Sequence, residues 1–304
     1  MDIRENASRS NALTIDVEDY FHVSAFRRSV PYAEWDRMES RVERNTHKVL
    51  ELLEEFRLHA TFFILGWVAE RYPSLVRAIQ TAGHELGCHS YAHRLVYELT
   101  PDEFRADTRR ALSTIEDIAG LRVRAYRAPS FSITARSLWA LEILLELGFT
   151  ADSSIFPTRN WLYGVPNAPR QPFRIHASGS DLLEFPPATL RIAGCNIPAT
   201  GGAYLRLLPY RFQALGLTGI ADRGEPIVLY FHPWELDPAQ PRLAARLGPK
   251  FYHYSGLNRT EERLRGLFSK FTFGTLSESM PGSLPTFEVK TASAPRVVFT
   301  PAIR

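Results

Sequence analysis

The sequence predicts an α/β protein of parallel strands arranged as a (β/α) barrel, on three observations. Apolar strand-like runs alternate with segments of helical periodicity through the first half of the chain. That order gives parallel strands joined by right-handed crossovers. The polar residues suited to chemistry fall just after the runs, at Asp16-Val17-Glu18-Asp19, His89, Arg127, Asp152 and His232. In a (β/α) barrel the carboxyl ends of the strands form one face, where active sites sit. Residues far apart in sequence therefore converge on one rim.

Each element has its own signal. Ala12 to Val17 is a short buried strand entering the acidic cluster, and Val42, Val49, Leu52, Leu53 and Phe56 recur at helical intervals after it. Ala60 to Leu65, rich in aromatic and β-branched residues, is the second strand. Val68 to Ala82 reads as one helix stopped at Gly83, and Glu85 to Cys88 as a strand delivering His89. Thr100-Pro101-Asp102-Glu103 opens a helix with a capping box and ends near Gly120. Val123 to Tyr126 delivers Arg127, a helix runs from Thr134 to Leu147, Phe149 to Ala151 delivers Asp152, and Ile227 to Phe231 delivers His232. Between Pro157 and Arg223 prolines break the pattern, which reads as long loops and short antiparallel strands elaborating the rim. Leu257 to Phe271 is a last amphipathic helix. Three regions result: an extension over 1–10, the barrel over 11–279, and a Pro/Ser/Thr-rich tail over 280–304 that reads as flexible.

Composition narrows the function. The 304 residues are 45% hydrophobic and 23% charged, with a net charge of +3 and no basic stripe, which argues against nucleic acid. Cys88 and Cys195 do not make a disulfide framework. The apolar stretch from Leu138 to Phe149 carries Glu142 and Glu146 and is too short to span a bilayer. Residues 1–10 lack a signal-peptide core, so the expected compartment is cytoplasmic. No nucleophile elbow, phosphate-binding glycine loop or dinucleotide fingerprint is present.

The candidate chemistry is metal-assisted hydrolysis. His89 and His93, spaced i, i+4, would share one face of a helical turn and could hold one divalent ion. Strand alternation puts Asp16 and Glu18 on one face, which favours Glu18 over Asp19 as the carboxylate ligand. Arg127 can pair with a buried carboxylate and keep it ionised. Asp152 is placed to orient His232 and raise its pKa. Trp234 could wall a sugar pocket. Cys88, His84 and His22 read as structural residues beside these.

The ordered set resembles the polysaccharide deacetylases, the NodB-homology or carbohydrate esterase family 4 enzymes. It comprises an acidic strand end, His-Ser-x-x-His, Arg-x-Pro, Asp-Ser-Ser and a strand ending in His. Ala60 to Gly66 and Ala82 to Gly87 match that family's framework, and the likeness covers about residues 10 to 275. Asp-Val-Glu-Asp and His-Pro-Trp-Glu resemble the branch found with exosortase and exopolysaccharide gene clusters.

The resemblance implies an irregular (β/α)7 barrel that removes acetyl groups from an N-acetylated polysaccharide or oligosaccharide. It implies Asp16 as general base, His89 and His93 as ligands to zinc (sometimes cobalt or nickel), Arg127 as partner of the base, Asp152 as tuner of the acid and His232 as the acid. Two departures stand out. Val17 occupies the position of the family's usual ligand aspartate, so the carboxylate must come from Glu18 or Asp19 or be absent, as in metal-independent allantoinase-like amidases. Ser130-Phe131 replaces the common Tyr-Gly, leaving backbone N–H groups as the oxyanion donors. A carbohydrate-binding barrel that has lost its metal is the non-catalytic alternative.

Overall fold

The computed structural model of the chain describes residues 11–244, 247–280, 282–293 and 296–302. The extension over 1–10 lies outside the described residues. The strands are β1 Asn11–Val17, β2 Thr61–Ile64, β3 Glu85–Cys88, β4 Ala125–Tyr126, β5 Ala151–Asp152, β6 Phe173–Ala177, β7 Ser180–Glu184, β8 Thr189–Ile192, β9 Cys195–Pro198, β10 Val228–Phe231, β11 Phe273–Gly274, β12 Thr286–Ser293 and β13 Arg296–Pro301. The helices are α1 Val42–Phe56, α2 Gly66–Arg71, α3 Pro73–Thr81, α4 Pro101–Ala119, α5 Trp139–Glu146, α6 Gly202–Leu207, α7 Tyr210–Ala221, α8 Leu247–Tyr254 and α9 Thr260–Lys270.

Seven parallel strands run β10–β1–β2–β3–β4–β5–β7. This is the expected α/β architecture. Every residue of β1 is buried, as the middle of such a sheet requires. Among the described residues the parallel ladder ends at β10 and at β7, beyond which the sheet continues through antiparallel β6, and the segment after β7 reaches back to β10. Ala188, just beyond β7, donates its N–H to Val228 O of β10 at 3.0 Å, and Thr200 Oγ1 donates to the same oxygen at 3.1 Å. A loop thus links the segment after β7 to β10.

The structure departs from the sequence expectations in three places. Pro73 splits the helix expected over Val68 to Ala82 into α2 and α3, because proline lacks the N–H needed to continue a helix. In the proline-rich stretch, β7 is a full member of the parallel sheet, and α6 and α7 are helices. Gly216 and Gly219 weaken the helical signal of α7, which forms because Ala214, Leu217 and Ile220 are buried. The third difference is the tail. β12 pairs with β13 and adds to β6, with Phe287 and Phe299 both packed edge-on against Phe173. Alternating apolar residues on a hairpin outweigh the loop-like composition. No helix among the described residues is long and apolar enough to cross a membrane.

Candidate metal centre and active site

Glu18, His89 and His93 are all buried and each offers a ligand atom within 4.8 Å of the others. His89 follows β3 directly. Its Nδ1–H donates to the Arg127 carbonyl at 2.8 Å, which fixes the tautomer and leaves Nε2 with a free lone pair. Burial pushes its pKa down to about 4, so it is a neutral ligand at pH 7. His93 Nε2 lies 2.9 Å from Glu18 Oε2, yet that oxygen meets no donor in good hydrogen-bond geometry. Two groups so placed face a shared point rather than each other. Burial would raise the Glu18 carboxyl, but His93, His232 and His89 outweigh it and hold it well below the usual range. Two imidazoles and one carboxylate with open positions beside them fit zinc, cobalt or nickel.

The histidine pair is not helical, contrary to the spacing argument. Residues 89–93 form an irregular turn with positive φ at Ser90 (67°) and His93 (51°), and the two rings still come within 5.5 Å. Asp107 of α4 pins this turn by accepting from Ser90 Oγ and Tyr91 N, both at 2.7 Å. Sequence spacing alone could not reveal Asp107.

Asp19 is not brought to this centre. Its Oδ2 accepts from Ser40 Oγ and from the N–H groups of Arg41 and Val42, so it caps the start of α1. Burial raises its pKa to about 6 against those hydrogen bonds. Glu18 therefore stands alone as the carboxylate of the cluster.

Asp16 ends β1 beside the cluster. Its Oδ1 accepts from Arg127 Nη1 at 2.7 Å, and Arg127 is fully buried. The guanidinium is also anchored on Thr14 Oγ1, Ser153 Oγ and Ser153 O, and lies 4.4 Å from the Phe63 ring centre. A guanidinium so fixed gives the Asp16 carboxyl a buried, charge-assisted partner.

His232 Nε2 lies 3.5 Å from Glu18 Oε1 and 3.8 Å from Asp16 Oδ2. The expected partner Asp152 is elsewhere: it accepts from Ser154 Oγ and faces Glu184. Burial pushes both of these carboxyls up, Asp152 to about 6 and Glu184 well above its ordinary value. Glu235 takes the role instead, its Oε1 accepting from His232 Nδ1 at 2.7 Å and from His232 N at 3.1 Å. Its Oε2 accepts from buried Arg206 at 2.7 Å. Burial opposes the charged ring, but the Glu235 hydrogen bond and the Glu18 and Asp16 charges raise the His232 pKa to about 9. The signal was present in His-Pro-Trp-Glu, where the 3₁₀ turn that Pro233 starts folds Glu235 back onto the histidine.

Trp234 does not wall a pocket. It is 4% exposed, stacked between His232 and His253, and donates Nε1–H to Glu18 Oε1 at 3.2 Å. Ser130 and Phe131 both have φ of 51°. Phe131 is buried against Phe156 and Tyr230, and Ser130 Oγ pairs with Ser24 Oγ. The N–H groups of Phe131 and Ser132 are spent on Ala128 O and Pro129 O.

Fold and site define a parallel α/β protein of the NodB type with a candidate His-His-Glu metal centre. A protein of Mycobacterium smegmatis assigned to the polysaccharide deacetylases shares this fold, with a TM-score of 0.55 at 22% identity over 93% of this chain and 98% of its own. The Puue allantoinase shares it at 0.58 and 14% identity over 88% and 87%. Residues 26–151 match the polysaccharide deacetylase family model, and residues 153–281 match a domain of unknown function, DUF3473. The two matches lie next to each other along the chain, each over less than half of it. It is 34% identical to a peptidoglycan-N-acetylglucosamine deacetylase of Bacillus cereus over 32% of this chain and 36% of the relative. It is 32% identical to a chitooligosaccharide deacetylase of Azorhizobium caulinodans over 38% and 54%. The matches span about a third to a half of these relatives' lengths. The site draws on both matched segments and on β1, which precedes them: His89, His93 and Arg127 from the first, His232, Glu235 and Arg206 from the second.

Proposed function

We propose that this protein is a metal-dependent hydrolase that removes N-acetyl groups from N-acetylhexosamine units of an exopolysaccharide or related glycan. The observation that carries the reading is the Glu18–His89–His93 cluster set against an Arg127-held Asp16 and a Glu235-held His232. The similarity to deacetylases of peptidoglycan and chitooligosaccharides supports the reaction. The exopolysaccharide rests on the resemblance of Asp16 to Asp19 and His232 to Glu235 to the exosortase-associated branch.

A zinc ion held by Glu18, His89 and His93, with cobalt or nickel as substitutes, would polarise the acetyl carbonyl and acidify a water. Asp16, paired with Arg127, accepts the proton of the water that attacks that carbonyl. With its neighbours' N–H groups already committed, Ser130 N–H is the backbone donor for the oxyanion. As the carbon–nitrogen bond breaks, His232 gives its Nε2 proton to the leaving amine, while Glu235 holds Nδ1–H and the ring in place. Acetate and a free amino sugar result.

Acetate release from N-acetylhexosamine oligomers should stop on chelation and return with added zinc or cobalt; full activity in metal-free protein refutes the mechanism. His232→Ala should lose far more activity on an N-acetyl sugar than on an activated acetyl ester, whose leaving group departs unaided. The Glu18 oxygens beside His89 and His93 support this reading over a metal-independent amidase. A binding relic has no use for a base and an acid together.

A further inference from the structure

Helix α8 turns an apolar face to solvent. Leu247 is 87% exposed, Phe251 one turn on is 59% exposed, and Tyr252 beside it is 60% exposed. The other side of the helix is firmly anchored. His253 is buried, its ring stacked 4.2 Å from that of Trp234, and its Nε2 lies 2.7 Å from Gln240 Oε1. Buried Arg206 donates to the carbonyls of Tyr252, His253 and Ser255 at 2.9, 2.8 and 2.6 Å. Held from behind in this way, α8 cannot turn Phe251 inward without giving up those bonds.

The charge around this face is of one sign. From Pro238 to Thr260 the sequence has Arg242, Arg246, Lys250 and Arg259 and no Asp or Glu. Lys250 follows Leu247 by three residues and so shares its side of the helix. Arg242 is exposed, with its guanidinium 4.3 Å from the ring centre of Tyr254. Ser29 Oγ donates to Ala244 O, which ties exposed Arg28 to the same segment. Among the described residues no carboxylate pairs with Arg28, Arg242 or Lys250. Elsewhere on the surface such cations have partners, as Arg27 has Glu98, Arg71 has Asp36 and Arg265 has Glu55.

Exposed aromatic and leucine side chains among unpaired Lys and Arg match the boundary of an anionic bilayer. There the rings enter the headgroup layer and the cations meet phosphates. A protein partner fits less well. Aromatic side chains bury roughly 150–250 Å² each, so these three fall short of the about 800 Å² per partner of a stable interface. A bilayer sets no such threshold, because shallow insertion and surface charge suffice for reversible binding.

We propose that the α8 face is a peripheral docking site for an anionic lipid bilayer. Leu247, Phe251 and Tyr252 enter the headgroup layer, and Arg28, Arg242 and Lys250 meet its phosphates. Only the Trp234 ring separates His253 of α8 from His232, so docking brings the candidate active site close to the bilayer. Lipid binding is read without turnover and stands or falls apart from the hydrolase reading.

The test is co-sedimentation of the full chain with vesicles of phosphatidylcholine, alone or with about one-third phosphatidylglycerol. Partitioning onto the anionic vesicles should be at least about tenfold stronger, and salt at about 1 M should remove most of the difference. Phe251→Ala should weaken binding about tenfold and Lys250→Ala about fivefold. Leu215→Ala, at a residue 72% exposed on α7, should leave it unchanged. All three are surface changes, and an unshifted Tm confirms that each variant is folded. No preference for anionic vesicles, a loss in Leu215→Ala equal to that in Phe251→Ala, or binding unmoved by both α8 variants overturns the lipid site. Full competition by inorganic phosphate at matched ionic strength also overturns it, in favour of a soluble anion. A dimer in sedimentation velocity that Phe251→Ala dissociates, without vesicle binding, would give the face to a second copy of the chain.

Discussion

Replacing Glu235 by Gln keeps the side chain's size and removes the charge that faces the His232 ring. Glu235 Oε1 accepts from His232 Nδ1 at 2.7 Å, and this hydrogen bond is the largest upward influence on a pKa that stands near 9 against an ordinary 6.5. An opposite charge in contact shifts a pKa by about 1–3 units, worth about 1.4–4 kcal/mol between the two protonation states. In metal-free Glu235→Gln protein the His232 titration, followed by NMR, should therefore drop by that 1–3 units. The acid must be protonated to act, so in zinc-loaded protein the alkaline limb of the pH–rate profile should also move to lower pH. Stability follows with the same sign. A folded pKa raised above the unfolded value stabilises fully below about pH 6.5, and that contribution is lost as pH rises through 9. The Tm gap between native and Glu235→Gln protein should narrow over that window. A His232 midpoint that ignores Glu235→Gln but falls in Asp152→Asn would refute the assignment and restore Asp152 as the tuning residue.

His93→Ala should lose its metal, measured by elemental analysis, and nearly all activity, since two remaining ligands hold zinc poorly. Glu18→Gln should weaken metal binding, whereas Asp19→Asn should keep the metal and lower unfolding stability by about 0.5–2 kcal/mol, the range for a lost helix cap; the opposite pattern would move the ligand to Asp19. Arg127→Ala leaves Asp16 buried without its cation and should cost about 3–5 kcal/mol in denaturant unfolding. A loss below about 1 kcal/mol would mean that the pair is not desolvated as its burial indicates.

Much of this was legible along the chain because it is local. Asp16 is the penultimate residue of β1, and His89, Arg127 and His232 directly follow their strands, so period and position announced both the sheet and the polar rim at its strand ends. Alternation past Val17 favoured Glu18 over Asp19, and in the structure Glu18 lies beside the two histidines while Asp19 turns away to cap α1. What misled was distance in space. The Asp152 assignment assumed that neighbouring strand ends aim at the same histidine, but Glu235 is only three residues from His232 and a proline-started turn delivers it first. The i, i+4 spacing assumed a helical turn, whereas a turn pinned by Asp107 brings His89 and His93 together.

The sequence by itself determined most of the elements and which residues are candidates for ligand, base and acid, because periodicity and strand-end position are properties of a local stretch. Only the tertiary structure decided which carboxylate serves which cation. It put Arg127 on Asp16 and Arg206 on Glu235, and it set Asp152 against a second carboxyl, Glu184, instead of a cation. It also made β7, within the stretch read as long loops and short antiparallel strands, a member of the parallel sheet, while β8 and β9 form an antiparallel pair. The side-chain pairings join residues tens to hundreds of positions apart. They are selected by burial, where an unpaired charge is costly and only a partner from another segment can satisfy it.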